Sequence, residues 1–216
     1  MKHVILGVEK FQKEVFPGKK AEFERLANGQ SPEVLFITCS DSRIDPNLVT
    51  QTEPGDLFIC RNAGNVIPPH SNVTGGMTAS IEFAVAALGV THIVVCGHTD
   101  CGAMKGALSP QKLDSLPHVK EWLSHCRVAT EVVKERTGSA ELDDNHLEEV
   151  TKENVVQQIQ HLRTHPAVAA KLAAGRIQLH GWVYNIETGG VLCYDDETRE
   201  FTPVNQQPGG SDAATS

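Results

Sequence analysis

Val34-Leu35-Phe36-Ile37-Thr38-Cys39 is a short apolar run that empties into the polar loop Ser40-Asp41-Ser42-Arg43. A run of this length bounded by a polar loop suits a buried strand. The pattern recurs further along. Residues 56–60 read as a second short strand, ending at Arg61-Asn62-Ala63-Gly64-Asn65, and residues 92–96 as a third, followed directly by Gly97-His98-Thr99-Asp100-Cys101-Gly102. Between and around these strands lie helical patterns. Residues 4–15 and 19–26 form two charged amphipathic stretches on either side of a Pro17-Gly18 break. Residues 77–88 are apolar on most faces, as for a helix buried in a core or an interface. Helices are also expected over 118–134, 146–163 and 167–173, and a terminal strand pair over 176–185 and 190–194, joined around Glu187-Thr188-Gly189.

Strands alternating with helices predict an α/β fold. Its expected form is a mainly parallel central sheet with an antiparallel edge strand and flanking helices. The expected organisation is one domain over 1–205, opened by a helical arm over 1–28. The stretch 206–216, rich in Gly, Ser and Ala, reads as a disordered tail. In such sheets ligands bind beyond the carboxyl ends of the strands. The polar clusters lie at those ends.

Bulk properties narrow the class. The 216 residues suffice for one α/β domain. A formal net charge of −8 argues against a nucleic-acid or anionic-membrane partner, because phosphate binding draws on a basic surface. No apolar run reaches the roughly 18 residues of a membrane span. The first residues turn charged at Glu9 and Lys10, too soon for a signal-peptide core, so a cytoplasmic location is expected. Six cysteines in a reducing compartment are more often buried thiols or ligands than disulfides. Cys60, Cys96 and Cys193 sit inside apolar runs and read as small core residues. Cys39 and Cys101 stand at the polar ends of such runs.

His98 and Cys101 form H-x-x-C, with Cys39 at another strand end. Thiolate and imidazole suit a borderline cation such as zinc. Structural zinc sites carry four ligands in two close pairs, whereas three ligands leave a position open for water, the catalytic arrangement. H-x-x-C alone also fits a loop histidine beside a buried thiol. The second cluster, Cys39-Ser40-Asp41-Ser42-Arg43, strengthens the metal reading. Asp41 and Arg43 form either an ordinary ion pair at a turn or a fixed carboxylate that orients a metal-bound water. The remaining histidines His3, His118, His125, His146, His161 and His165 lie amid polar residues and read as solvated. His180 reads as a core or interface residue.

These segments, together with Ala79-Ser80-Ile81-Glu82-Phe83-Ala84 and Leu179-His180-Gly181-Trp182-Val183-Tyr184, resemble the signature segments of the β-carbonic anhydrases over roughly residues 3–204. The resemblance implies one zinc per chain on Cys39, His98 and Cys101, with Asp41 and Arg43 as the catalytic dyad. It implies reversible hydration of CO2 to bicarbonate and a proton through a zinc-bound hydroxide. It further implies a substrate site drawn from Gln30, Phe58, Val66, Phe83 and the Gly102 amide. Phe83 stands where a subset of the family has tyrosine. Phe36 stands where the bicarbonate-regulated subset has tryptophan, although Arg61 and Tyr184 match that subset. The family assembles as dimers, tetramers or octamers with N-terminal helices wrapping a neighbour. Other readings are COS or CS2 hydrolysis on the same fold, or a non-catalytic zinc-binding assembly protein. A cysteine phosphatase loop, C-x5-R, fails on spacing and on the acidic Asp41.

Overall fold

The computed structural model describes residues 1–72 and 74–206. Most of the tail expected over 206–216 therefore lies outside the described residues. The chain divides into two compact units, Met1–Ser31 and Pro32–Ser216. In the first, α1 (Lys2–Lys10) passes through a π-helical stretch, Phe11–Val15, into α2 (Phe16–Leu26). The expected break at Pro17-Gly18 is absent: the chain stays helical through Val15 and Phe16, and Pro17 follows directly on the wider π-helical turn. The rings of Phe11, Phe16 and Phe23 cluster at 5.4–6.0 Å between centroids.

The second unit carries a six-stranded sheet. The strands are β1 (Val34–Cys39), β2 (Leu57–Asn62), β3 (His92–His98), β4 (Gln178–Tyr184), β5 (Val191–Tyr194) and β6 (Phe201–Pro203), in spatial order β2-β1-β3-β4-β5-β6. β2, β1, β3 and β4 are parallel, and β5 and β6 close the edge antiparallel. Two of the expected strands run further than their apolar cores: β2 extends to Asn62 and β3 to His98. Pairing with β1 and β4 outweighs the polarity of their last residues.

Helices α3 (Pro46–Thr50), α4 (Gly76–Glu82), α5 (Gly102–Leu108), α6 (Pro117–Leu123), α7 (Arg127–Thr137), α8 (Leu147–Arg163) and α9 (Pro166–Ala173) complete the unit. A 3-10 turn at Ser124–Cys126 divides the helix expected over 118–134. The helix expected over 77–88 becomes π-helical from Phe83, and it buries Ile81, Ala84 and Val85 while Phe83 stays 49% exposed. Alternation along the strands sends Leu35, Ile37, Ile93 and Val95 to a core shared with Val155, Ile159 and Leu162 of α8 and Val168 of α9. Phe36, Val94 and Cys96 face the other way, with Trp182 against them. A third cluster, at the carboxyl edge, gathers Cys39, Val66, Cys101, Met104, Leu123 and Cys126.

Two histidines expected to be solvated are anchored instead. His161 donates from Nδ1 to the Ile67 carbonyl at 2.7 Å, and the buried His165 donates from Nε2 to the Pro68 carbonyl at 3.0 Å. Polar neighbours in the sequence concealed this, because the carbonyls they meet come from a distant loop. His180 is a half-buried strand residue paired with His92 at 3.0 Å.

Helix α8 crosses the sheet at glycines. A Cβ on Gly181 would lie 2.9 Å from Ile159 Cδ1, 3.0 Å from Val155 Cγ1 and 3.1 Å from Tyr194 Cβ, and one on Gly97 would lie 2.9 Å from Val155 Cγ2. Close-packed interiors resist even one added methyl. Gly181→Ala should therefore cost about 1–3 kcal/mol. Urea denaturation reads this directly, and an unchanged midpoint would show that α8 can back away freely.

Candidate metal centre

β1 and β3 are neighbours in one parallel sheet, so their carboxyl ends open on the same edge. Cys39 is the last residue of β1 and His98 the last of β3. The chain then turns through Asp100, in the left-handed region at φ +56°, and delivers Cys101 at the start of α5. The two sulfurs stand 4.0 Å apart, and the ligating atoms of Cys39, His98 and Cys101 all lie within 4.8 Å of one another. All three residues are buried.

The donor set fits a tetrahedral thiophilic cation. The Thr99 carbonyl can only accept, so His98 Nδ1–H donates to it at 2.8 Å, leaving the Nε2 lone pair free. That nitrogen is buried without a partner, an arrangement that costs stability unless something coordinates it. Zinc at bond lengths near 2.3 Å separates two tetrahedral sulfurs by about 3.8 Å, close to the spacing here. The Cys101 hydrogen bond draws the Cys39 thiol far below its usual range, with His98 and the Gly64 amide adding to it. Cys101 is correspondingly pushed up. The Gly64 N–H reaches Cys39 Sγ at 3.4 Å, a donor suited to a thiolate.

Asp41 follows two residues after Cys39. Arg43 grips it from Nε to Oδ1 at 3.0 Å and from Nη2 to Oδ2 at 2.8 Å, and the Arg43 backbone N–H also reaches Oδ1 at 2.9 Å. This fork holds the carboxyl well below the ordinary carboxylate range. Asp41 Oδ2 nevertheless lies only 3.8 Å from His98 Nε2. Arg61 secures the loop by donating to the Cys39 carbonyl at 3.0 Å and to the Asp41 carbonyl at 2.7 Å.

The other expected residues divide. Val66 packs in the cluster with both cysteines, and Gly102 adjoins Cys101, where an added Cβ would meet nothing within 4 Å. Phe58 and Phe83 pair with each other at 6.1 Å between centroids, and Phe58 belongs to the core beneath α8. Phe58 lies four residues before the end of β2 and packs against the core that holds Ile67, the neighbour of Val66. Gln30 is exposed and belongs to the first unit. Grooves of about 790 Å³ beside α6 and about 840 Å³ beside α8 are lined by none of Cys39, Asp41, Arg43, His98 and Cys101.

Sequence reasoning missed the supports. Gly64 has φ +80°, a conformation suited to glycine, and Met104 and Ala103 crowd its α-carbon. From α8, Asn154 donates to the Gly64 carbonyl at 3.1 Å. Gln158 donates to Asn154 Oδ1 at 2.9 Å and accepts from the Ile67 N–H at 2.7 Å. Trp122 donates to the Ala63 carbonyl at 2.9 Å. Asp100, between two cluster residues, takes the far side of Arg43. Its place inside H-x-x-C was the available signal. Asn154 and Gln158 offered none beyond being amides on an otherwise apolar helix face.

Comparison with known proteins gives one answer. A family model described as carbonic anhydrase matches residues 34–191. Carbonic anhydrase 1 of Escherichia coli O157:H7 is 50% identical over 208 residues, covering 96% of this chain and 94% of its own. The carbonic anhydrase of Pseudomonas aeruginosa is 45% identical over 208 residues, with the same coverage of 96% and 94%. The solved structure of the β-carbonic anhydrase CcaA superposes with a TM-score of 0.90 at 44% identity, over 94% of this chain and 98% of that one. A structure from the work on two tetrameric β-carbonic anhydrases of Sordaria macrospora superposes at 0.71 with 31% identity, over 89% and 92%.

Removing the Asn154 amide leaves the Gly64 carbonyl and the Gln158 amide short of partners. Asn154→Ala should cost about 1–3 kcal/mol. It should also weaken metal binding by about tenfold, as loss of an outer support does. Competition with a chromogenic chelator measures the second effect. Unchanged metal affinity would mean that the Gly64 loop holds its place without α8.

Proposed function

The chain belongs to the β-carbonic anhydrases, and on that premise we propose that Cys39, His98 and Cys101 hold its zinc while Asp41 and Arg43 form the catalytic dyad. The enzyme hydrates CO2 reversibly to bicarbonate and a proton. The observation that carries the residue assignment is His98 Nε2, buried without a partner and facing two thiols 4.0 Å apart. Bound zinc supplies a Lewis acid that acidifies water and steadies negative charge on oxygen.

The chain's own groups do the rest. Asp41, ionised and held by Arg43, accepts the hydrogen bond of the reacting water and aims its lone pair. Arg61 and Gly64 keep the ligand-bearing loops still. Val66 supplies an apolar wall, and the Gly102 amide faces developing charge on a substrate oxygen. Gln30, Phe58 and Phe83 enter on sequence resemblance. We read the substrate niche as Val66 with Phe58 and Phe83, and the assembly as a homo-oligomer, as the Sordaria relatives are tetrameric. We read residues 1–28 as the arm of a single catalytic domain over 1–205.

Among the described residues no helix is long and apolar enough to cross a membrane. All six cysteines are free thiols, which suits a reducing cytoplasm. Two thiolates and a neutral imidazole cancel the formal charge of zinc. Activation of water therefore needs a higher pH than at a three-histidine site, where it falls near about 7.

Purified protein should carry about one zinc per chain, given three soft ligands and one open position. Cys39→Ser, His98→Ala and Cys101→Ser should each lose metal and CO2 hydration together, whereas His125→Gln and His161→Gln should keep the metal. Elemental analysis decides, and full zinc in all three ligand variants would overturn the assignment. A COS hydrolysis assay in parallel tests the neighbouring activity. For the dyad, Arg43→Ala should retain zinc and fall silent as the released carboxylate closes the open position. Asp41→Ala should leave an open, slower site. Near-normal hydration by both at pH 8 would reduce the pair to a structural turn.

A further inference from the structure

We infer that Asp100 is a positioning residue that clamps Arg43 between the two ligand loops and so keeps Asp41 off the metal. The inference rests on the dyad reading above and extends it to a residue outside the dyad. Asp100 meets Arg43 twice: its carboxylate Oδ2 accepts from Nη1 at 2.9 Å and its backbone carbonyl accepts from Nη2 at 3.0 Å. Its other carboxylate oxygen is taken by Lys105 of α5. The guanidinium is thus shared between Asp41 on the β1 loop, through Nε and Nη2, and Asp100 on the β3 loop, through Nη1 and Nη2.

The backbone is arranged for this grip. Asp100 adopts φ +56°, which few side chains tolerate but Asp does, and the turn presents its carboxylate and carbonyl to the same guanidinium. Because Asp100 lies between His98 and Cys101, the position of Arg43 is fixed relative to the ligands themselves. Asp41 needs that restraint. Its Oδ2 stands 3.8 Å from His98 Nε2, so a released carboxylate is within a side-chain rotation of any ion held there. Carboxylates are competent zinc ligands. The Arg43 side chain is 43% exposed and that of Asp100 55%, so neither is held by packing. Isolated exposed pairs contribute little, but a guanidinium joined to two loops by several aligned bonds belongs to the networked exception.

The test uses the full-length protein loaded with cobalt(II), whose absorption reports the metal's ligands, with azide as the probe for the open position. Asp100→Gly removes the carboxylate and accepts the left-handed backbone without strain. It should retain one metal per chain yet bind azide about tenfold more weakly, the scale of one lost charged hydrogen bond. Asp100→Asn, which keeps an acceptor and the turn, should recover most of the azide affinity, and it serves as the folded reference if the glycine variant is unstable. The double variant Asp41→Asn with Asp100→Gly should bind azide like the parent, because no carboxylate remains to compete. The inference falls if Asp100→Gly binds azide and turns over like the parent while Arg43→Ala does not. It also falls if Asp41→Asn fails to restore azide binding. Parental behaviour in Arg43→Ala as well would instead overturn the dyad reading on which the inference rests.

Discussion

The parallel pairing of β1 with β3 is the constraint on which the rest depends. Strand neighbours are about 4.8 Å apart, so side chains at matching carboxyl ends meet within ligating distance without help from long loops. Cys39 and His98 stand one register step apart at those ends, and their ligating atoms still lie within 4.8 Å of each other. The chain leaves β1 toward β2 and leaves β3 toward β4, in opposite directions, so a crevice opens between the ends of β1 and β3. Only Cys101 has to be delivered by a turn. That turn is short, and its left-handed residue, Asp100, is the one that reaches back to the β1 loop. Shifting β3 by one residue would turn His98 to the opposite face and dismantle the centre.

Burial then sorts the cysteines. Burial pushes Cys126 up to about 12 and Cys193 to about 11, and it outweighs the Thr38 and Tyr184 hydrogen bonds to push Cys96 up to about 12. They are inert core thiols. Cys39 sits at a comparable depth and moves the opposite way, because a neighbouring thiol, an imidazole and a backbone N–H all address its sulfur. The difference lies in what the end of a strand can offer that its middle cannot. Mid-strand amides are committed to the ladder, whereas the Gly64 amide, just past β2, is free to point at a sulfur. Helix α8 holds Gly64 from behind through its carbonyl, and it comes close enough to do so because Gly97 and Gly181 leave room for it.

Much of this was legible in the sequence. The apolar runs ending in polar clusters marked β1, β2 and β3, and the three soft ligands could be named from their places at those ends. What stayed hidden depends on contacts between residues far apart in the chain. Asn154 and Gln158 look like ordinary helical amides until Gly64 and Ile67, some 90 positions earlier, are folded beneath them. His161 and His165 looked solvated for the same reason. β6 is three residues long and carries a proline, too little pattern to separate from a loop. Pro17 and Gly18 were over-read as a break, since the cost of proline depends on where in a helix it falls. Phe58 and Phe83 show a different limit. The resemblance suggests a place for them in the substrate niche, while the geometry of one chain says only where they are.

In the role proposed for it, Asp41 has to satisfy two opposed demands, and the spacing C-x-D-x-R meets both. It must stand near the metal to orient a small reactant, and in a site already carrying two thiolates it must not become a third anionic ligand. Nearness comes from the chain, since two residues from Cys39 leave no room to be distant. Restraint has to come from a cation, and Arg43 two residues further folds back so that its side chain and its own backbone N–H engage the same carboxylate. A lysine there would offer a point charge that follows the carboxylate wherever it turns. The planar fork instead defines a direction. Bonded on its far side to Asp100, it holds that direction against the pull of a divalent ion a few ångströms away.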